Sequence, residues 1–178
     1  MSYFYRKMSN KSGVIWIIDG AYLLKGAKGQ IDFISLRREL QEWSIPMKNK
    51  FPTSRFDRII FFNSSKDDEK QQNFHSYLET MGFEVKLYGL KEMNVRCDCC
   101  NTNIKRQVQK GVDVGIATAI LSLTDEYKKL VLTAGDGDFI DAIHTVQKKF
   151  KEVYICGYRG SMAGEFRTDA DALKIIDI

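Results

Sequence analysis

Short apolar runs alternate with helix-like segments along this chain, and the alternation limits the folds that it can adopt. Apolar side chains recur at helical spacing in Phe33 to Trp43, Phe74 to Met81 and Phe139 to Phe150. Strands joined by helices form a largely parallel sheet with right-handed crossovers, so the pattern predicts an α/β fold. The buried strands are predicted at five runs, each followed by turn residues: Val14 to Ile18, Arg58 to Phe62, Phe83 to Tyr88, Leu130 to Thr133 and Val153 to Cys156.

Length and composition favour one soluble domain. The 178 residues are 44% hydrophobic, which suffices for one substantial core, and two prolines without a Ser/Gly-rich stretch give no sign of a linker. We therefore predict a single domain over residues 1–178, with its core at about residues 13–177. No apolar run approaches the roughly 18 residues of a membrane span, and the N-terminus lacks the apolar centre of a signal peptide. We expect a cytoplasmic protein without a membrane partner.

Four aspartates fall where such a fold gathers the ends of its strands. Asp19 ends the first apolar run, Asp136 and Asp138 follow the fourth, and Asp113 opens the apolar segment Val112 to Leu123. Functional residues of parallel sheets lie at the carboxyl ends of the strands, and carboxylates crowded there repel one another unless a divalent cation neutralises them. Each acid taken singly also fits an ordinary turn or helix N-terminus. Four aspartates at one edge of the sheet favour a metal site over four unrelated turns.

The segment that Asp113 opens is apolar on nearly every side, so we expect this helix to be buried between the sheet and another element. Partial burial would raise the pKa of Asp113. His75 and His144 are isolated and expected to face solvent. The chain has neither a Gly-x-Ser-x-Gly elbow nor a phosphate-binding Walker loop. A mechanism with a Ser, Cys or His nucleophile therefore has no support.

The cysteines are clustered at Cys97, Cys99 and Cys100, with Cys156 remote, which indicates a reducing compartment rather than a disulfide framework. Cys97 and Cys100 have the spacing of half a zinc site, and Cys99 or Cys156 could supply a third thiolate. No second pair of cysteines follows in the sequence to complete a site with four ligands. Zn²⁺ binding and reduced thiols on an exposed loop both remain open.

Three motifs occur along the chain in the order Ile18-Asp19-Gly20, Lys110-Gly111-Val112-Asp113-Val114 and Gly135-Asp136-Gly137-Asp138-Phe139. They resemble those of the NYN-domain, LabA-like branch of the PIN-like nucleases. A similar closing segment follows at Gly157 to Ala172, and the resemblance spans Val14 to about Ile176. One position departs from the family, which commonly has Asn three residues after the first Asp, where this chain has Tyr22.

The resemblance implies a PIN-like, Rossmann-like three-layer sandwich with a mainly parallel sheet of five or six strands. It also implies a ribonuclease that depends on Mg²⁺ or Mn²⁺ and that hydrolyses phosphodiester bonds of RNA. Asp171 is a weaker, supporting position near the metal. The catalytic and metal-binding residues would be Asp19, Asp113, Asp136 and Asp138.

Cations and tyrosines around the acidic edge predict contacts with single-stranded RNA, because cations attract phosphates and tyrosines stack on unpaired bases. The residues that we expect to contact substrate are Asn63, Ser64, Lys105, Arg106, Lys110 and Arg159.

Two alternatives to the ribonuclease remain. A catalytically weak or inactive module that holds RNA or a regulatory partner without cutting is compatible with Tyr22. A hydrolase of nucleotides or small phosphates is compatible with the four acids. The sequence also leaves a homodimer open.

Overall fold

The computed structural model describes residues 12–28, 30–45, 55–65, 69–96, 99, 102–109 and 111–176. Within these ranges no helix is long and apolar enough to cross a membrane. The strands are β1 (Val14–Asp19), β2 (Arg58–Ser65), β3 (Glu84–Arg96), β4 (Asn103–Gln109), β5 (Lys129–Thr133), β6 (Glu152–Gly157) and β7 (Ala172–Ile175). The helices are α1 (Gly20–Gly26), α2 (Phe33–Ser44), α3 (Glu69–Thr80), α4 (Val112–Ser122), α5 (Ile140–Gln147) and α6 (Phe166–Asp169), with a 3-10 helix at Gly137–Phe139 before α5.

The described strands form one sheet in the order β4-β3-β2-β1-β5-β6-β7. Six of them pair in parallel, and β4 pairs antiparallel with β3 at one edge. The predicted α/β class and the mainly parallel sheet are therefore confirmed. The five predicted runs correspond to β1, β2, β3, β5 and β6, while β4 and β7 were not predicted.

Helices cover both faces of the central strands, which explains why β1 is apolar at successive positions. Ile15 and Ile17 pack on one face, in a cluster with residues of α4 and α5. Trp16 and Ile18 pack on the other face with residues of α1, α2 and α3. The four side chains are fully buried, so the first strand is fixed between the two layers.

A short chain of polar contacts crosses the interior at the level of β1, β5 and β6. The Trp16 indole N–H donates to the Thr133 hydroxyl at 2.8 Å, and the Cys156 Sγ lies 2.8 Å from the same oxygen. Burial raises the pKa of Cys156 to about 12. The suggestion that Cys156 supplies a zinc thiolate is therefore wrong, because its sulfur is neutral and enclosed in the core.

The strand β3 takes part in two kinds of pairing. It pairs in parallel with β2 from Glu84 to Gly89 and antiparallel with β4 from Leu90 to Arg96. The strand therefore continues past Tyr88, where the sequence predicted its end, and its second half is one arm of a hairpin with β4 at the edge of the sheet. The sequence did not indicate this second half or β4, because neither contains an apolar run. Cys97 and Cys100 lie outside the described residues.

The helix α4 is less buried than its composition predicted. Ile116 and Ile120 are enclosed against the sheet, but Val114 is 71% exposed and Leu121 is 39% exposed. The expectation that this helix is buried between the sheet and another element is met where α5 packs against it. It is wrong for the outer surface of the helix, which nothing in the described part of the chain covers. An apolar helix thus presents part of its side chains to solvent.

Candidate functional site

Chain direction brings the four acids to the carboxyl edge of the sheet. Asp19 is the last residue of β1, and its neighbour Ile18 is paired with Thr133, the last residue of β5, three positions before Asp136. Because α4 ends close to the start of β5, it runs from the carboxyl edge to the amino edge, and its first turn carries Asp113. The short helix after β5 carries Asp138, so all four lie at one edge.

The carboxylates act on one another electrostatically. Burial raises the pKa of Asp19, and the negative charges of Asp113 and Asp136 raise it further. The Tyr22 backbone N–H opposes this change by donating to Asp19 Oδ1 at 3.0 Å. The Asp113 side chain is exposed overall, yet loss of water on one side of its carboxyl group raises its pKa, and Asp136 and Asp138 add to the effect.

No positive charge relieves this repulsion within the described residues, where none of the four aspartates forms an ion pair. The side chains as placed do not form a group of three acidic, His or Cys ligands around one point, again within those residues. Asp113, Asp136 and Asp138 are exposed, so packing does not hold their carboxyl groups in these rotamers. Carboxylate oxygens are the ligands that Mg²⁺ and Mn²⁺ prefer, and the donor set therefore fits such an ion.

Tyr22 connects three parts of the chain beside the acids. Its hydroxyl accepts a hydrogen bond from the Tyr158 backbone N–H at 2.8 Å and bonds the Ser161 hydroxyl at 2.9 Å. Its ring lies so close to Gly135 that a Cβ there would come within 2.3 Å of Tyr22 Cε2. The loop after β6 and the turn that carries Asp136 are thus both held by this phenol.

The NYN-domain sequence model matches residues 14–177, nearly the whole chain. The chain belongs to the NYN-domain family. It is 30% identical over 119 residues to the low amplitude and bright protein LabA of Synechococcus elongatus, a match that covers 66% of this chain and 60% of that relative, less than two thirds of its length.

A solved structure has the same fold as this NYN domain. It is a protein of unknown function from Vibrio parahaemolyticus, with a TM-score of 0.70, 20% sequence identity and 96% of each chain covered. At this identity the likeness concerns the fold alone.

Asn63 does not face a substrate in this NYN domain. Its side chain is buried, with Nδ2 3.3 Å from His75 Nε2 and Oδ1 accepting the Ser64 backbone N–H at 2.9 Å. His75, which we expected to face solvent, is also buried, and this burial lowers its pKa. The pair joins β2 to α3, so both residues stabilise the fold behind the acidic edge.

The other expected substrate contacts divide into two groups. Ser64 is half-buried at the carboxyl end of β2, and Arg159 is exposed just after β6, so both lie at the edge that carries the acids. Lys105 and Arg106 belong to β4, but their side chains, like the whole of Lys110, lie outside the described residues.

Asp171 lies away from the cluster. Its Oδ2 accepts a hydrogen bond from the Val153 backbone N–H at 2.7 Å and from Gln147 Nε2 at 3.1 Å. Val153 is close to the amino end of β6, at the opposite edge of the parallel sheet from the four acids. The expectation that Asp171 supports the metal is therefore wrong, and Asp171 instead fixes the start of β7.

Proposed function

We propose that this NYN domain is a Mg²⁺- or Mn²⁺-dependent ribonuclease that hydrolyses phosphodiester bonds of single-stranded RNA. The observation that carries the proposal is the group of four interacting carboxylates at the carboxyl edge, without a counter-charge among the described residues. Repulsion between these carboxylates lowers the stability of the fold, and such destabilising groups are typical of functional sites. Binding of a divalent ion is the role that matches their chemistry.

Asp19 and Asp136 are the residues that would hold the ion. One oxygen of each is already oriented by the backbone, since Asp19 Oδ1 accepts from Tyr22 N–H and Asp136 Oδ1 accepts from Asp138 N–H, both at 3.0 Å. The second oxygen of each remains for the ion. Asp113 and Asp138 would bind it directly or orient the waters around it. When bound, such an ion lowers the pKa of a water molecule and stabilises charge on the leaving oxygen.

Positive residues near the edge support a polyanionic substrate. Arg159 is exposed on the loop that Tyr22 holds, and the sequence of the hairpin strand β4 includes Lys105 and Arg106. Lysine and arginine attract RNA through its phosphates. The family relationship adds the RNA-related context, so RNA is the substrate class that we propose.

A labelled single-stranded RNA incubated with Mn²⁺ tests the proposal. We expect endonucleolytic or exonucleolytic products that disappear with EDTA, and a loss of about a hundredfold or more in Asp136→Asn, since the substitution removes a charged ligand but keeps the shape of the side chain. Asp125→Asn is the matched control because Asp125 is exposed in the turn before β5, at the opposite edge of the sheet.

Two other results would point to the alternatives. Tight RNA binding without turnover at every Mn²⁺ concentration would support a module that holds RNA without cutting. Release of phosphate or nucleotide from small substrates, with no dependence on RNA length, would support a small-phosphate hydrolase. Either result contradicts the ribonuclease.

A further inference from the structure

An open groove of about 510 Å³ lies between α4 and the strands β2 and β3, on the side of the sheet that carries α4 and α5. It exists because α4 packs over β1 and β2 and no described helix covers this side of β3. Ile60, Phe62 and Tyr88 line it from the strands, and Val114, Thr118 and Ser122 line it from α4.

One end of the groove lies at the first turn of α4, which carries Asp113. Gly111 and Val114, which line it, flank Asp113 in the first turn of α4. A nucleic-acid strand whose phosphate lies at the acids therefore has the groove beside its next nucleotide. The volume lies in the range of sites that bind small organic molecules of nucleotide size.

The charges at the two ends favour an uncharged occupant over a phosphate. At the end far from Asp113, the Arg58 guanidinium is bonded to Glu84 at 2.6 Å and to Glu126 at 2.8 Å, and Lys86 lines the groove beside them, so two cations balance two carboxylates. The acidic edge lies at the other end. A phosphate would find no net attraction at the first end and would be repelled at the second, so the occupant that fits between them is uncharged.

The lining favours a flat, partly polar ligand over an aliphatic side chain. Ile60, Phe62 and Ala119 provide apolar surface, while the hydroxyls of Thr118 and Ser122 provide hydrogen-bonding groups along α4. A nucleobase has apolar faces and polar edges and can use both kinds of surface. An aliphatic side chain would cover the hydroxyls without bonding them, which costs binding energy.

The aromatic wall of the groove is held in place by packing. The Tyr88 ring stacks on Phe62 with centroids 6.3 Å apart and an angle of 27° between the planes. It also lies against Gly115, where a Cβ would come within 2.1 Å of the Tyr88 hydroxyl. The glycine thus gives Tyr88 the space to lie beside α4, and the wall is formed before any ligand binds.

We propose that this groove binds an unpaired nucleobase of the RNA strand, next to the phosphate at the aspartates. The inference rests on the proposed function for its substrate, but binding in the groove does not require cleavage. Bases of a duplex are paired and stacked and cannot enter, so the groove also gives a physical reason for single-stranded RNA as the substrate.

The test measures binding with Ca²⁺ in place of Mn²⁺, so that the carboxylates are neutralised, and the RNA is checked to be intact after each titration. The probe is a short single-stranded RNA with one 2-aminopurine, whose fluorescence falls when the base stacks or is enclosed. We expect quenching by the wild-type protein, and a dissociation constant raised about tenfold by Thr118→Phe, which fills the groove from an exposed helix position. Tyr88→Leu, which removes the aromatic wall, should act in the same direction. Leu87→Ala is the control, because Leu87 is exposed on the opposite face of β3.

Unchanged affinity in both groove variants would overturn the inference, and so would equal competition by a duplex of the same sequence. A dimer that Thr118→Phe dissociates without any effect on RNA affinity would also overturn it and assign the groove to a second copy. Binding through the groove without cleavage in Mn²⁺ would leave this inference standing and contradict only the ribonuclease.

Discussion

The Tyr22 hydroxyl oxygen accepts a hydrogen bond at 2.8 Å from the backbone N–H of Tyr158, which joins the first turn of α1 to the loop after β6. The two rings also touch, with centroids 5.7 Å apart. Family resemblance suggests Asn at position 22, which is too short for this contact. The phenol therefore has a role of its own, which is to hold a loop against the turn that carries Asp136.

Tyr22→Phe should loosen this loop. The substitution leaves the ring in place but removes the bonds to Tyr158 N–H and the Ser161 hydroxyl, and we expect a loss of about 1 kcal/mol in the free energy of unfolding. Hydrogen exchange should become faster at the Tyr158 amide, and RNA cleavage should slow. Tyr77→Phe, at an exposed position on α3, is the control. Unchanged exchange at Tyr158 would contradict the role of the hydroxyl.

Gly135→Ala should destabilise the protein by about 1 to 3 kcal/mol through overpacking. The new Cβ would lie 2.3 Å from Tyr22 Cε2 and 2.4 Å from the Ser161 carbonyl oxygen, and the second atom belongs to the backbone. Tyr22→Ala in the same chain should therefore rescue the fold only in part. Gly164→Ala, which meets no atom within 4 Å, should change the stability by less than about 0.5 kcal/mol. Urea unfolding measures all three variants.

Asp19→Asn should stabilise the protein at neutral pH without divalent ions while it abolishes cleavage. Burial and two neighbouring carboxylates raise the pKa of Asp19 above its ordinary value of 3.8. The contribution of Asp19 to the free energy of unfolding is therefore fully present below pH 3.8 and is lost as the pH rises through the raised pKa. Asparagine removes the charge and still caps α1 through its side-chain oxygen.

Urea unfolding across this pH window provides the check, and the wild-type protein should gain stability relative to the variant on acidification. Asp32→Asn is a control for which we expect the opposite change in stability. The Ser35 side chain, followed by its backbone N–H, lowers the pKa of Asp32, so this substitution should destabilise the protein at neutral pH. A destabilised Asp19→Asn would contradict the account of the cluster.

Mn²⁺ should stabilise the wild-type protein against unfolding. An ion at a hundred times its dissociation constant adds about 2.7 kcal/mol if it binds only the folded state. Asp19→Asn and Asp136→Asn should lose most of this gain, whereas Asp125→Asn should keep it. Thermal unfolding with Mn²⁺ and with EDTA gives the comparison. An equal gain in every variant would place the ion elsewhere.

Most of the strands that apolar runs revealed are covered by helices on both faces, as the sequence of β1 illustrates, and β3 is the exception. The hairpin was not predicted because β3 beyond Gly89 and the whole of β4 contain no apolar run. The aspartates at strand ends followed from the parallel fold. What the fold class could not indicate was which polar side chains turn inward, and for this reason Asn63 and His75 were misjudged.

Asp171 shows a second limit of the sequence. Its spacing from the family motifs is compatible with the site, but the chain returns to the amino edge before β7, so the side chain bonds Val153 of β6 and fixes the start of β7 instead. The exposed face of α4 is a third case, since apolar composition alone does not say whether a partner element exists. In this fold the outer stripe of that helix borders the groove.

The strand β3 continues without a break from its parallel pairing with β2 into the hairpin with β4. The length of the hairpin can therefore change without moving the acidic edge of the sheet. Antiparallel pairing repeats every two residues, so matched insertions in β3 and β4 leave the register of the inner strands unchanged. Related chains can thus lengthen or shorten the two arms of the hairpin while the aspartates keep their places. The reach of the hairpin and the geometry of the acidic edge are separately evolvable in such an architecture.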